Sequence, residues 1–429
     1  VSLPPALTWY RGLTRLAAPV APALLQKRAR KGKEDPDRRH ERLGQPARER
    51  PQGRLIWLHG ASVGESLVLA SLVDALAARH EDLHFMVTTG TVTSARMLAE
   101  RLPERAFHQF IPVDTPAAVR RFLDHWRPDL AVFAESELWP NLIVETSRRG
   151  TPLALINARM NERSIRSWRR RPDTARWLLG QFAWIGAADT RTRDGLEDLT
   201  GYHVTLAGNL KLEARRAAPD PDQLARFQAA LDGRPVWLAA STHPGEDEIV
   251  LDAHARLLEQ SPGALLILAP RHPERAGKIV RLIEARGLSV WQRSKDANAP
   301  DNDCQVWLTD TLGEMGFWFA LAPASLIAGS LVPDIGGHNP VEASQAGSSV
   351  ISGPFRSSFD DLYTAYQAHS ALIEVENESG LSAAVMQIWS GQGPDPSASQ
   401  AALAAASGGA MAKTITALET LLHSAEATS

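Results

Sequence analysis

Short apolar runs alternate with helix-patterned stretches along nearly the whole of this chain, and that alternation leaves few folds open. The first series of runs covers 55–58, 84–88, 109–112, 130–134, 153–157, 184–188 and 204–207. A second covers 236–240, 264–269, 288–292, 305–308, 325–329, 350–352 and 372–375. Runs this short and apolar suit strands buried on both faces, and helices between them imply parallel sheets with helices on either side. The fold class expected is therefore α/β, with two parallel sheets. A chain of 429 residues also exceeds one ordinary core. The break between the two series, around Pro219-Asp-Pro-Asp222, marks the domain boundary.

Four segments are expected: an N-terminal membrane-associating stretch (1–34), a first α/β domain (35–208), a second (209–392) and a closing helix (393–429). Several helices should open with a cap followed by proline, as at Thr115-Pro116, His243-Pro244, His272-Pro273 and Asn339-Pro340. Such helix N-termini lie at the carboxyl ends of strands, where open α/β sheets bind ligands.

Residues Gly329 to Glu342 read GSLVPDIGGHNPVE. A buried strand here becomes a glycine loop and then a helix. Gly336 and Gly337 can take positive φ and let backbone approach a ligand. Asn339 is a good cap and Pro340 a good first helical residue, so an anion is expected at that helix start. Glu342 can accept hydrogen bonds from ribose hydroxyls. The spacing from Asn339 to Glu342 equally fits a capping box that needs no ligand. A similar choice stays open at Glu65, which ends the run HGASVGE from His59. A carboxylate there can take a proton from a hydroxyl, or can complete a box with Ser62. Glu135 and Glu137, in ESELWPN, end another strand of the same sheet.

Composition narrows the function. Hydrophobic residues at 44% and charged residues at 22% describe a globular protein, and a net charge of −3 argues against a general nucleic-acid binder. Cys304 is the only cysteine, so a multi-cysteine metal site is excluded. No clustered Asp-x-Asp or Cys/His set calls for a metal, and no cofactor is expected. The stretch from Leu3 to Leu25 is apolar but interrupted by Arg11 and Arg15, short of the roughly 18 apolar residues of a spanning helix. It reads as an interfacial segment, with Trp9 and Tyr10 at the headgroups and the KRARKGK run at Lys27 to Lys33 on anionic lipid, or as a soluble leading helix with a solvated basic turn. Arg159, Arg163, Arg166 and Arg169 to Arg171 form a second basic cluster suited to phosphates, or simply a solvated basic helix.

Taken together, HGASVGE, ESELWPN, Asn157-Ala-Arg159, Ser241-Thr-His-Pro-Gly-Glu246, Pro270-Arg-His-Pro-Glu274 and the Gly329–Glu342 stretch resemble the 3-deoxy-D-manno-octulosonic acid (Kdo) transferases of lipopolysaccharide assembly. The resemblance implies a GT-B glycosyltransferase, with two Rossmann-like domains facing across a cleft. Its donor would be CMP-Kdo, its acceptor a lipid A precursor (lipid IVA), and its place the cytoplasmic face of the inner membrane. Carried over by motif, Glu65 becomes the base of an inverting reaction, supported by Glu135 and Glu137. Ser241, Arg271, His272, Ser330, Gly336, Gly337, Asn339 and Glu342 fall on the donor side, and Arg159 and Arg163 on the acceptor side. The run Thr89-Gly-Thr-Val-Thr-Ser94 departs from the Thr-Met-Thr-Pro-Thr-Gly often seen in the family. Two other readings compete: a different GT-B sugar-nucleotide enzyme such as an epimerase, and a non-catalytic nucleotide-binding membrane scaffold.

Overall fold

A computed structural model of the chain describes residues 3–214 and 219–426. They form two compact units: residues up to 214 together with those from Ser407 onward, and residues from 219 to Ala406.

The first unit is built on strands β1 (Arg54–His59), β2 (Leu83–Thr89), β3 (Ala106–Phe110), β4 (Leu130–Ala134), β5 (Leu153–Ala158), β6 (Trp184–Ala187) and β7 (Thr205–Leu206). They lie in the order β3-β2-β1-β4-β5-β6-β7, all parallel. Alternation along β1 explains its uninterrupted apolar run. Leu55 and Trp57 enter one core, where Trp57 meets Phe122 and Phe133 at ring separations of 5.0 and 5.2 Å. Ile56 and Leu58 enter the core on the other face, beside Val68, Leu72 and Leu76. Each face is covered by helices, so neither accepts a polar residue without a partner.

The N-terminal helix Pro5–Ala17 packs on this unit through one face only. Leu7 is buried, Tyr10 donates to Asp114 at 2.9 Å, Arg11 pairs with Glu145, and Asn141 Nδ2 donates to Thr14 at 3.1 Å. Tyr10 is thus turned inward, contrary to the headgroup position expected from sequence. Asp114 explains the fixture: its carboxylate also accepts from the N–H groups of Asn141 and Leu142. It therefore caps the helix Pro140–Ser147, whose own N-cap Trp139 supplies no side-chain bond. Trp9, Leu13, Leu16, Val20 and Leu24 remain on the outside, all more than half exposed. Their spacing of three or four makes one continuous stripe along this helix and the next, Ala21–Ala29. Among the described residues no helix is long and apolar enough to cross a membrane.

Strands β8 (Val236–Thr242), β9 (Leu265–Pro270), β10 (Val290–Gln292), β11 (Val306–Leu308), β12 (Ala324–Ile327), β13 (Ser349–Ser352) and β14 (Leu372–Glu374) form the second unit. Their order is β10-β11-β9-β8-β12-β13-β14, again all parallel. In each sheet the chain crosses to the other side of the first strand, between β1 and β4 and between β8 and β12; in the second sheet β11 also lies between β9 and β10. Such a switch point opens a crevice at the carboxyl edge, because the flanking helices leave in opposite directions.

Two expectations change here. The helix expected from Pro340 starts at Val341 and ends at Gln345, so it has only five residues and a weak dipole. Asn339 Oδ1 accepts from Val341 N–H, two residues on, as in an Asx turn rather than a box. The expected closing segment is divided at Gly408-Gly409. Helix Pro396–Ser407 belongs almost wholly to the second unit, whereas Ala410–Glu426 packs Ile415, Leu418 and Leu422 into the core of the first.

Candidate active site

Three carboxylates stand at the switch point of the first unit, each in a different electrostatic setting. Glu65 occupies the third position of helix Val63–Ala77, whose N-cap is Ser62. Its carboxylate accepts the Ser62 hydroxyl at 2.6 Å and the Ala61 N–H at 2.8 Å, while Ser62 Oγ accepts the Glu65 N–H at 3.2 Å. The box is therefore formed, with the side chain reaching Ala61 instead of the cap N–H. Gly60 is needed for this packing, since a Cβ there would lie 2.9 Å from Glu65 Cβ. No cation among the described residues pairs with Glu65.

Glu135 and Glu137 do have partners. Glu135 sits at positive φ (56°) just past β4 and pairs with Lys211 at 2.5 Å. Asn157, also at positive φ (48°), donates to Glu135 at 3.4 Å and accepts from the Leu210 N–H at 3.0 Å. One side chain thus joins the end of β5 to the segment that carries Lys211. Strained residues gathered at strand ends mark where the surrounding fold holds a geometry in place for use. Glu137 accepts from Trp139 Nε1 at 2.6 Å and lies 3.5 Å from His59 Nε2. Burial pushes the Glu137 carboxyl up, but His59 and Trp139 outweigh it and hold it below the usual range. His59 is buried, and its Nε2 has no hydrogen-bond partner among the described residues.

Arg159 lies just after β5, with its carbonyl accepting from Ser136 and its Nε buried without a partner. Arg163 lies on the exposed side of helix Glu162–Arg169. No ion pair among the described residues uses either guanidinium. By contrast, Arg166 and Arg169 pair with Glu162 and Asp198.

In the second unit the strand ends are organised by a residue to which sequence alone gave no role. Glu246 is fully buried at the start of helix Glu246–Gln260. Its two oxygens accept four backbone N–H groups: His243 at 3.0 Å, Gly329 at 2.8 Å, and Ser330 and Leu331 at 3.0 Å each. The anion held by the turn after β12 is the protein's own. The signal was present in His243-Pro-Gly-Glu246, which has the reach-back spacing of a capping box.

This arrangement changes the reading of several donor-side residues. Ser330 is fully buried, with its hydroxyl donating to Ile327 O at 2.6 Å and accepting from Gly353 N–H at 2.8 Å, so it shapes the loop from within. Gly336 and Gly337 do have positive φ, at 86° and 77°. They are required by the chain itself: a Cβ would lie 2.4 Å from Ser358 Oγ at the first and 3.2 Å from Phe355 O at the second. Ser241 is at positive φ (61°), where the β8–β9 register shifts. Arg271 and His272 are exposed at the end of β9, Asn339 is exposed, and Glu342 is half-buried on the five-residue helix. These residues share the carboxyl edge of the second sheet. A groove of about 670 Å³ between helices Glu246–Gln260 and Glu378–Trp389 contains none of them. Among the described residues no group of three or more His, Cys, Asp or Glu is placed to hold a metal ion.

Residues 37–214 match the family model described as 3-deoxy-D-manno-octulosonic-acid transferase (kdotransferase). A probable mitochondrial 3-deoxy-D-manno-octulosonic acid transferase of Arabidopsis thaliana is 34% identical over 370 residues, covering 85% of this chain and 83% of the relative. The chain belongs to the 3-deoxy-D-manno-octulosonic acid transferase family. A Haemophilus influenzae member is 32% identical over 335 residues, covering 76% of each. The putative UDP-N-acetylglucosamine 2-epimerase of Listeria monocytogenes superposes at a TM-score of 0.54 with 12% identity, over 87% of this chain and 97% of that one. That likeness concerns the fold, which is of the GT-B class.

Proposed function

We propose that this family member transfers Kdo from CMP-Kdo to a lipid A precursor with inversion at the anomeric carbon, and that Glu65 is the general base. The observation that carries this reading is the contrast among the three carboxylates. Glu135 is neutralised by Lys211, and Glu137 is held acidic beside His59. Glu65 accepts only neutral donors from Ser62 and Ala61. A carboxylate with no cation beside it keeps its oxygens open to an incoming hydroxyl, and the N-terminal turn of a 15-residue helix fixes its direction.

In the step proposed, the acceptor hydroxyl gives its proton to Glu65 as its oxygen bonds to the anomeric carbon. The bond from that carbon to the phosphate oxygen breaks, and its electron pair leaves with CMP. Positive charge on the sugar and negative charge on the leaving phosphate grow together. Arg271, His272 and Ser241, with Asn339 and Glu342, would hold the nucleotide, while Ser330, Gly336 and Gly337 shape the loop. Guanidinium donors at Arg159 and Arg163, having no carboxylate partner among the described residues, suit the phosphates of the acceptor.

The membrane part of the proposal rests on the stripe from Trp9 to Leu24 and the basic run after it. An apolar ridge on a helix fixed to the first unit by its opposite face can lie in the headgroup region, with Lys27 to Lys33 on anionic lipid. The surface meant is the cytoplasmic face of the inner membrane. Incubation with CMP-Kdo and lipid A precursor tests the whole reading. Release of CMP with a correspondingly heavier lipid is expected. Turnover of a UDP-sugar without a lipid product would point to the epimerase alternative, and no turnover at all to a scaffold.

A further inference from the structure

A pair of histidines at the carboxyl edge of the second sheet has a geometry that the transfer reaction, as described, does not use. His243 follows β8, and His338 follows Gly337 in the loop after β12. Their Nε2 atoms are 2.8 Å apart. The rings are 16° from coplanar, with centroids separated by 5.1 Å. That separation matches two rings end to end in one plane, joined by an N–H···N bond, and not one ring lying over the other.

The pair is built in from several sides. The His243 N–H is held by Glu246, and the His338 carbonyl accepts from Tyr363 at 2.9 Å. Gly329 leaves room for the His338 ring, since a Cβ there would lie 3.0 Å from it. Neither Nδ1 has a hydrogen-bond partner among the described residues.

Proton counting gives the pair its character. An N–H···N bond between two neutral imidazoles holds one proton, so one Nδ1 carries a hydrogen and the other a lone pair. One added proton makes both Nδ1 atoms donors and gives the pair a positive charge. Before a ligand binds, burial and the charges around the pair oppose that addition. Burial, His243, Arg271 and His272 together lower His338 to about 4. His243 is lowered by burial and by His272, Arg275 and Arg271, against an opposing pull from Glu246. His272 also presents its ring edge-on to His243, at 6.0 Å. The two Nδ1 atoms point away from each other at the outer ends of the pair, so an anion meets one of them; beside either it offsets the nearby charge of Arg271 and stabilises the proton shared across the bond.

We propose that the His243–His338 pair is a proton-coupled site for a terminal phosphate group, taking up one proton from solvent as a phosphomonoester dianion settles on it. The inference rests on the donor reading of this edge and extends it. Phosphate in a sugar-nucleotide diester carries one negative charge, and the monoester left after transfer carries two. The pair supplies its added positive charge where the second negative charge appears, which is the charge that develops as the bond breaks.

The test is calorimetric titration of the full chain with CMP at about pH 7.5, in phosphate-free buffers of low and high ionisation enthalpy, with cytidine as the control. The dependence of the heat on the buffer counts protons. Wild type is expected to take up roughly half to one proton more than His338→Gln, with His243→Gln as the second variant, and cytidine none. CMP binding with the same proton count in wild type and in a folded variant overturns the pair and leaves the donor reading standing. Absence of CMP binding to the folded wild type overturns the donor reading, and the pair with it.

Discussion

Lys211 Nζ lies 2.5 Å from Glu135 Oε1, and this ion pair separates two carboxylates that the sequence leaves as rivals. The amine belongs to the short helix Leu210–Glu213, and an ideal Cβ on Gly64, the neighbour of Glu65, would lie 3.9 Å from it. Lys211 therefore reaches the turn that carries Glu65, yet among the described residues it pairs with Glu135 and not with Glu65.

That division predicts unequal effects of conservative substitutions. Glu65→Gln keeps the Ser62 cap and near-native melting, because an amide still accepts from Ala61, but loses about 10² to 10⁴ in turnover because it cannot take the proton. Glu135→Gln loses less. Steady-state CMP release measures both, and equal losses would remove the basis for choosing Glu65.

The depressed Glu137 carboxyl carries a pH signature. A group that binds its proton more weakly in the folded state stabilises the fold fully above its ordinary pKa, and the stabilisation is lost as pH falls through the depressed value. For Glu137 the loss begins near the ordinary glutamate value of 4.5 and runs downward. Glu137→Gln is expected to melt below wild type at about pH 7, with the difference shrinking as pH falls below 4.5. A melting difference independent of pH contradicts the His59 contact as its cause.

Removing Glu246 exposes the cost of the internal anion. Glu246→Ala leaves four backbone N–H groups without their acceptor, and an orphaned buried donor costs about 1–3 kcal/mol. Relaxation and entering water reduce the sum, so a loss of at least about 3 kcal/mol is expected in urea unfolding of the second unit. Glu246→Gln, which keeps one acceptor oxygen, falls between. A cost below about 1 kcal/mol would show that this loop does not depend on the carboxylate.

The outward stripe is best tested without deleting its helix, because Leu7, Tyr10, Arg11 and Thr14 bind that helix to the first unit. Leu13→Ser with Leu16→Ser removes two exposed apolar side chains and leaves those contacts alone. Full burial of each leucine contributes about 1.5–3 kcal/mol, so binding to anionic vesicles should fall at least about tenfold. Melting temperature should not change. Undiminished sedimentation with vesicles would refute the stripe as the contact.

Each strand among the described residues overlaps a run expected from sequence, most plainly where both faces are buried, as in β1, β4 and β5. Ends were less legible: β3 runs from Ala106 to Phe110 where 109–112 was expected, because half-exposed residues at its start blur the signal. The position of Glu65 was legible through its cap. Lys211 and Asn157 were not, because their partners are far along the chain and only the strand order brings them together. Glycine at 336 and 337 correctly signalled positive φ but not its cause, which is crowding against residues 355–358. Glu246 shows the same limit. In Gly245-Glu-Asp-Glu248 it reads as an ordinary acidic helix start, while the four N–H groups that explain its burial come from two strand ends.

The return of helix Ala410–Glu426 to the first unit sets an order of assembly during synthesis. Leu418 and Leu422 fill a core begun by residues near Leu58 and Val68, so that core stays unfinished until the helix Ala410–Glu426 has been made. The second unit is contiguous in sequence and can close while the first still waits. A stop codon shortly after residue 406 would therefore damage the half of the molecule made first. The half made last would emerge whole.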